Sequence, residues 1–266
     1  MQEKIMFSFF TQSHLSRSKG DFMLRYSCIA LFLSFNFIFA QSSDSLMNKA
    51  VELYETRHLD PENLSKSLEM LEAILNTEPN NLRAHYELSK ICYLIGDEAE
   101  VKEKKLEWFS KGKEIAQEAK KIDGNSAWAH FWYMVNLGRI GQTKGVLNSL
   151  ALVPEIKKEI DKVLKIDPKH TGALDAKAML YYELPGILGG NLKTSIMALN
   201  KGIELDSNYT LLYVDMAKVY IKKKDYEKAR WFLNRALKIG NPTFEADHVL
   251  DDEPEARQLL TEIEDK

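Results

Sequence analysis

The sequence is poor in the residues that crosslink a chain or carry reaction chemistry. Two cysteines, Cys28 and Cys92, stand among 266 residues, which excludes a disulfide framework and leaves the fold to packing. Neither charge dominates: 36 Lys and Arg oppose 39 Asp and Glu for a formal net charge of −3. The signs are interspersed rather than gathered into tails, which excludes the basic face that nucleic acid demands. No apolar run reaches the roughly 18 to 20 residues of a comfortable membrane-crossing helix. Among His58, His85, His130, His170 and His248 there is no pair at i and i+4 and no H-E-x-x-H, and the chain has no G-x-S-x-G turn. Zinc and nucleophile-turn chemistry are therefore unsupported, and no catalysis, metal or cofactor is expected. GRIGQTKG has the glycines and lysine of a phosphate loop in the wrong order, and it follows a helix where that loop needs a strand.

The longest apolar stretch, CIALFLSFNFIFA from Cys28 to Ala40, follows Arg25 and gives way at once to QSSDS. That order reads as an export signal over residues 1–40, cleaved after Ala40, with Met23 as an alternative start. An uncleaved anchor or a buried helix is the other reading. Without residues 1–40 the formal charge becomes −5, since four basic and two acidic residues go with them. Cys28 opens the apolar run, whereas a lipid-modified cysteine follows it, so no lipoprotein anchor is expected. Cys92 is then the lone thiol, read as a small buried apolar side chain.

Abundant, by contrast, are charged residues (28%) and apolar ones (45%), laid out in a repeating order. Five segments end alike: LNTEPNN, KKIDGN, LKIDPK, IELDSN and LKIGNP. Taking Pro79, Gly124, Pro168, Ser207 and Asn241 as equivalent gives steps of 45, 44, 39 and 34 residues. The last step is the tetratricopeptide length. Tyr213, Met216, Ala217, Tyr220, Ala229, Leu233 and Ala236 occupy the large and small positions of that motif. The prediction is an all-α, tetratricopeptide-like helical-repeat solenoid over 41–266 with about eleven helices. Its pairs are 44–57 with 62–76, 82–95 with 100–122, 127–138 with 154–166, 171–184 with 192–206, and 210–223 with 226–239. A helix at 253–264 would cap the stack.

Three of these steps exceed 34 residues, and for the two that end at Pro168 and Ser207 alignment puts the surplus between the helices of a pair, at GRIGQTKGVLNSLALV and ELPGILGGN. Both enlarged turns are apolar, with Val146, Leu147, Leu150, Leu152 and Val153 in one and Ile187 and Leu188 in the other. Burying a leucine or isoleucine is worth roughly 1.5 to 3 kcal/mol, so these side chains are expected to pack on each other, wall a cavity or meet a partner. Asn136, Arg139, Gln142 and Lys144 flank the first turn and Asn191 closes the second. The aromatic run WAHFWY at 128–133 feeds the same region, as core between repeats or as the wall of a groove.

Trp132, Tyr133, the G-R-x-G-Q turn with Arg139 and Gln142, and the L-P-G-x-L-G-G-[DN] turn with Pro185, Gly186, Gly189 and Gly190 carry a narrower likeness. Over about 126–241 the chain resembles the T component of tripartite ATP-independent periplasmic (TRAP) transporters. The resemblance implies an exported, periplasmic accessory protein of a bacterial transport system. It would bind an apolar small solute or dock a periplasmic solute-binding protein, and it leaves room for a homo-oligomer. The same turns give a weaker likeness to animal regulators of microtubule dynamics, against which the bacterial-style signal argues. The expected ligand or partner residues are Trp132, Tyr133, Asn136, Arg139, Gln142, Lys144, Leu147, Leu150, Pro185, Gly186, Leu188, Gly189, Gly190 and Asn191. The alternative is a generic tetratricopeptide scaffold that binds protein and no ligand.

Overall fold

A computed structural model describes residues 43–266. The expected signal at 1–40 and the alternative start at Met23 lie outside the described residues. Every regular element among them is helical. Helix α1 (43–55) pairs with α2 (Asn63–Thr77), α3 (Leu82–Glu98) with α4 (Lys102–Ile122), α5 (Ala127–Lys144) with α6 (Val146–Ile166), α7 (Thr171–Glu183) with α8 (Leu192–Leu205), and α9 (Thr210–Lys222) with α10 (Tyr226–Leu237). A terminal stretch follows: a short α11 (Glu245–Asp247), a π-helical turn (His248–Asp252) and α12 (Glu253–Glu262). With that stretch taken as one helix, the expected solenoid of about eleven helices is what forms.

The recurrent segment ends have a common physical cause. In IDGN, IDPK and LDSN the aspartate carboxylate accepts the amide two residues on: Asp123 from Asn125 at 2.8 Å, Asp167 from Lys169 at 2.9 Å, and Asp206 from Asn208 at 3.0 Å. This side-chain turn reverses the chain after α4, α6 and α8. The next helix then starts on a polar side chain that takes one of its free amides, as Asn81 does for α3, Ser126 for α5 and His170 for α7.

Small residues let the helices approach. Ala116, Ala129, Ala178, Ala217 and Ala229 are all fully buried, and around the last pair Tyr213, Val214, Leu233 and Ile239 close a core that α12 joins with Ala256 and Ile263. Cys92 is buried at the junction of early pairs, and burial pushes its thiol up to about 12. It is inert as a nucleophile near neutral pH.

The first enlarged turn is not a turn. Helix α5 continues to Lys144 and α6 begins at Val146, so the surplus residues lengthen both helices, with Gly145 (φ +109°) alone between them. Gly141 serves a close crossing: a Cβ there would lie 3.0 Å from Leu152 and 3.2 Å from the Ser149 backbone. Pro154, expected to open a helix, sits inside α6. The second enlarged turn does form, as a 3-10 turn over Gly186–Leu188. The apolar side chains at both tips stay in water: Val146 is 75% exposed, Leu147 82% and Ile187 94%. Of the fates expected for these side chains, packing on each other is not what Val146, Leu147 and Ile187 show: each sits where the chain reverses, beyond the reach of the helix faces, whereas Leu150, Leu152 and Val153 are half-buried along α6.

Candidate functional site

The first helices of successive pairs lie side by side, α3 on α5 and α7 on α9. Their shared face carries charged and aromatic residues where the opposite faces carry core. Lys90 on α3 points its ammonium at three rings, 4.1 Å from the centroid of Tyr54 and 5.8 Å from those of Trp132 and Phe244. Tyr93 packs on Trp132 at 5.7 Å, and Arg139 on α5 binds Asp97 at 2.8 Å and donates to the Tyr93 hydroxyl at 3.3 Å. The Tyr54 hydroxyl donates to Glu87 at 3.0 Å. Burial lowers the Lys90 ammonium from its ordinary range and raises the Glu87 carboxyl, the expected response of charges kept from water.

This face is occupied by the chain itself. Residues 243–252, TFEADHVLDD, leave the last pair and cross it. Thr243 donates from its amide to the Asn208 carbonyl at 3.1 Å and from its hydroxyl to Asp206 at 2.7 Å. The Phe244 ring meets Tyr209 edge-on at 4.9 Å. Arg57, only 7% exposed just beyond α1, donates to Asp247 at 2.6 Å and lies 3.8 Å from Asp251. At the far end Asp252 accepts from the Thr210 hydroxyl at 2.5 Å, and Lys218 bridges Asp215 (2.9 Å) and Glu255 (2.7 Å).

The carboxyls of that far end are crowded. Burial, reinforced by Asp215, holds Asp175 well above the usual carboxylate range. Burial also raises Asp252 to about 7, against the Thr210 hydrogen bond and with Asp247, Asp215 and Asp251 adding to it. Asp251 rises to about 6 through burial, opposed by Arg57 and supported by Asp247, Asp97 and Glu98. The Asp252 end of the crossing stretch therefore docks best with that carboxyl protonated. Its contribution is complete below the free aspartate value of about 4 and is lost as pH rises through about 7. Hydrogen exchange of amides 244–252, corrected for intrinsic rate, is expected to show protection at least ~10-fold lower at pH 8 than at pH 5. Equal protection at the two pH values would contradict this.

The residues singled out from sequence do not gather into one place. Trp132 and Arg139 belong to the occupied face. Asn136 is fully buried and donates to the Ser89 carbonyl and hydroxyl and to the Trp132 carbonyl at 3.0 to 3.2 Å, tying α5 to α3. It is structural. Tyr133 turns the other way, donating to Glu155 at 2.6 Å under the Lys120 ammonium. Nearby, His130 meets Glu159 at 2.5 Å and the Gly124 carbonyl at 3.1 Å, and Lys120 meets Glu159 at 2.8 Å. An open cleft of about 520 Å³ lies over this network. Gln142, Lys144 and Leu147 are exposed, with Leu150 half-buried, on the α5–α6 tip. Pro185, Gly186, Leu188, Gly189, Gly190 and Asn191 make the α7–α8 tip, where the Asn191 side chain accepts the Thr194 amide at 3.0 Å and starts α8.

Sequence reasoning missed Arg57, Lys90, Tyr209 and the crossing stretch. The available signal was FEADHVLDD itself, an acidic, aromatic-led segment between Pro242 and Pro254 that belongs to no repeat. Among the described residues no three His, Cys, Asp or Glu are placed to hold a metal ion, and no helix is long and apolar enough to cross a membrane.

Residues 46–264 match the family model described as RMD1-3, Regulator of microtubule dynamics protein 1-3. The chain is 24% identical over 195 residues to Regulator of microtubule dynamics protein 1 of Rattus norvegicus, covering 67% of this chain and 60% of that protein. It is 25% identical over 169 residues to Regulator of microtubule dynamics protein 3 of the same animal, covering 55% and 34%. The chain thus spans 60% or less of the length of these curated relatives. Among solved structures, a thermophilic tetratricopeptide protein of Thermus thermophilus superposes with a TM-score of 0.62 at 13% identity, over 82% of this chain and 99% of that one. PilF of Pseudomonas aeruginosa gives a TM-score of 0.50 at 15% identity, over 85% and 95%.

These findings overturn the likeness to TRAP transporter T components, and the solute-binding protein and apolar solute expected from that likeness lose their support. The LPGILGG turn behind that likeness is demanded by backbone geometry. Gly189 is left-handed (φ +94°), and a Cβ on Gly190 would lie 1.8 Å from the Leu184 carbonyl oxygen. Any chain folding this turn needs those glycines, so they do not separate one helical-repeat family from another.

Proposed function

We infer that this chain, which belongs to the regulator of microtubule dynamics protein 1–3 family, is a protein-interaction scaffold that grips a segment of a partner protein on the face of its first helices. The observation behind this reading is that the face already holds a peptide. Ten residues of the same chain cross it on an arginine, an aromatic cage and a hydroxyl. Rigid rings with charged groups at their edges are the usual composition of peptide-gripping surfaces, because they offer area and direction at low entropic cost.

A second reading has its own observation. Val146, Leu147, Ile187 and Leu188 are exposed at the pair tips, and apolar side chains left in water mark contact surfaces. The two readings separate in one experiment, in which partners are captured from source cells with three baits. The expected result is a partner held by the wild type and by Leu147→Asp/Ile187→Asp, and reduced at least ~10-fold with Lys90→Ala/Arg139→Ala, matching loss of anchors worth about 1.4 kcal/mol or more. Retention by the face variant with loss from the tip variant would overturn the face as the working surface.

A further inference from the structure

Phe244 leads into the short helix Glu245–Asp247 and the π-helical turn after it, and the segment meets Tyr209 and Lys90 with this ring and Arg57 with the carboxylates of Asp247 and Asp251, three and seven positions on. We propose that residues 243–252 are a stand-in for the partner. The face takes an acidic helical segment whose aromatic residue precedes two carboxylates by three and seven positions, and the chain's own copy must leave before that partner binds. This rests on the scaffold reading above and names the partner's chemistry and its control.

Charge complementarity argues for it. The stretch carries Glu245, Asp247, Asp251 and Asp252 within ten residues, and the cations that meet it or its continuation into α12 are Arg57, Lys90 and Lys218. The Arg57 guanidinium is almost enclosed, and apart from the carbonyl of Tyr54 its partners all lie on the stretch. A buried guanidinium with no carboxylate is costly. Whatever displaces the stretch must therefore bring a carboxylate of its own.

The stretch is also built to come away. It runs between Pro242 and Pro254 and closes on a π-helical turn, an irregularity that costs hydrogen-bond geometry and is common at functional sites. Its outer side chains Val249 and Leu250 stay 42% and 43% exposed, where a core segment would bury them. The elements on either side have their own attachments: α10 packs in the last core, and α12 adds Ala256 to it while Arg230 donates to the Ile263 carbonyl. The stretch can leave with both neighbours in place. While tethered it competes at an effective concentration on the order of millimolar, so an untethered segment of the same chemistry binds weakly until the tethered one is released.

The test uses a fluorescent peptide with the sequence of residues 243–252, titrated into the full chain and into its Phe244→Ala/Asp247→Asn variant, with melting curves to confirm the fold. The variant is expected to bind the peptide at least ~10-fold more tightly than the wild type. A peptide carrying lysine in place of Asp247 and Asp251 is expected to bind neither. Arg57→Ala, which frees the stretch but removes its receptor, is expected to gain nothing. Equal affinity of wild type and variant, or equal binding of the lysine peptide, overturns the proposal. So does a folded variant that binds no peptide: the stretch is then a brace, while the capture experiment still decides the scaffold reading. Asp247→Asn alone, which keeps the ring and the shape, replaces the double variant should that one melt early.

Discussion

Gly190→Ala is expected to lower stability by about 3 to 5 kcal/mol, the range of severe single substitutions. The added methyl would sit 1.8 Å from the Leu184 carbonyl oxygen, 2.6 Å from its carbon and 3.0 Å from the Pro185 carbonyl carbon. All three are backbone atoms and cannot swing aside, so the turn itself must open. Opening breaks the bonds from the Gly190 amide to the Pro185 carbonyl (3.0 Å) and from the Asn191 amide to the Tyr181 carbonyl (2.9 Å). It also shifts Asn191 from its cap on α8, a contact worth about 1 kcal/mol. For a repeat domain of this size, with a net stability of about 5 to 15 kcal/mol, the melting temperature should fall by roughly 10 °C. Gly186→Ala is the control, since a methyl there meets nothing within 4 Å, and it should melt within about 1 to 2 °C of the wild type. A Gly190→Ala protein melting with the wild type would show that the turn is not built this way.

That turn also marks where sequence reading is strong and where it stops. The helices, their pairing and the last repeat were legible because each signal is local: small residues at 217, 229 and 236, and an aspartate that folds the chain back at 123, 167 and 206. The glycines were ambiguous. At 189 and 190 they make a turn, whereas at 141 the same residue type lets α5 and α6 cross, so a segment read as a loop is helix. Leu147 and Ile187 were expected to find cover because exposure is unfavourable, but one or two exposed apolar residues at a tip cost too little to decide a fold. Asn136 shows the reverse error. Read as a polar group beside a pocket, it is a buried tie to Ser89 on α3, 47 residues away. The occupied face was invisible for the same reason on a larger scale, since Arg57 and Asp247 are 190 residues apart in sequence and no periodicity links them.

Arg57→Ala is the second substitution expected to have a large effect. Its guanidinium side chain is 5% exposed and that of Asp247 31%, so water replaces little of what is lost. Charged hydrogen bonds of this kind contribute about 1.5 to 3 kcal/mol. Removing the arginine also leaves Asp247 and Asp251 facing each other with no cation between them, which drives the stretch off the face. The expected loss is about 2 to 3 kcal/mol, read as an earlier melt and as loss of exchange protection confined to residues 244–252.

The double-mutant cycle on this pair tests the central claim, that the face of the first helices receives an acidic segment, more directly than either change alone. Stability is measured for the wild type, Arg57→Ala, Asp247→Ala and the double variant. If the stretch is seated by this contact, the second substitution costs almost nothing once the first is made, giving a coupling energy of about 1.5 to 3 kcal/mol. Additivity of the two single changes within about 0.3 to 0.5 kcal/mol would show that Arg57 and Asp247 do not meet, and that the face is free of the stretch.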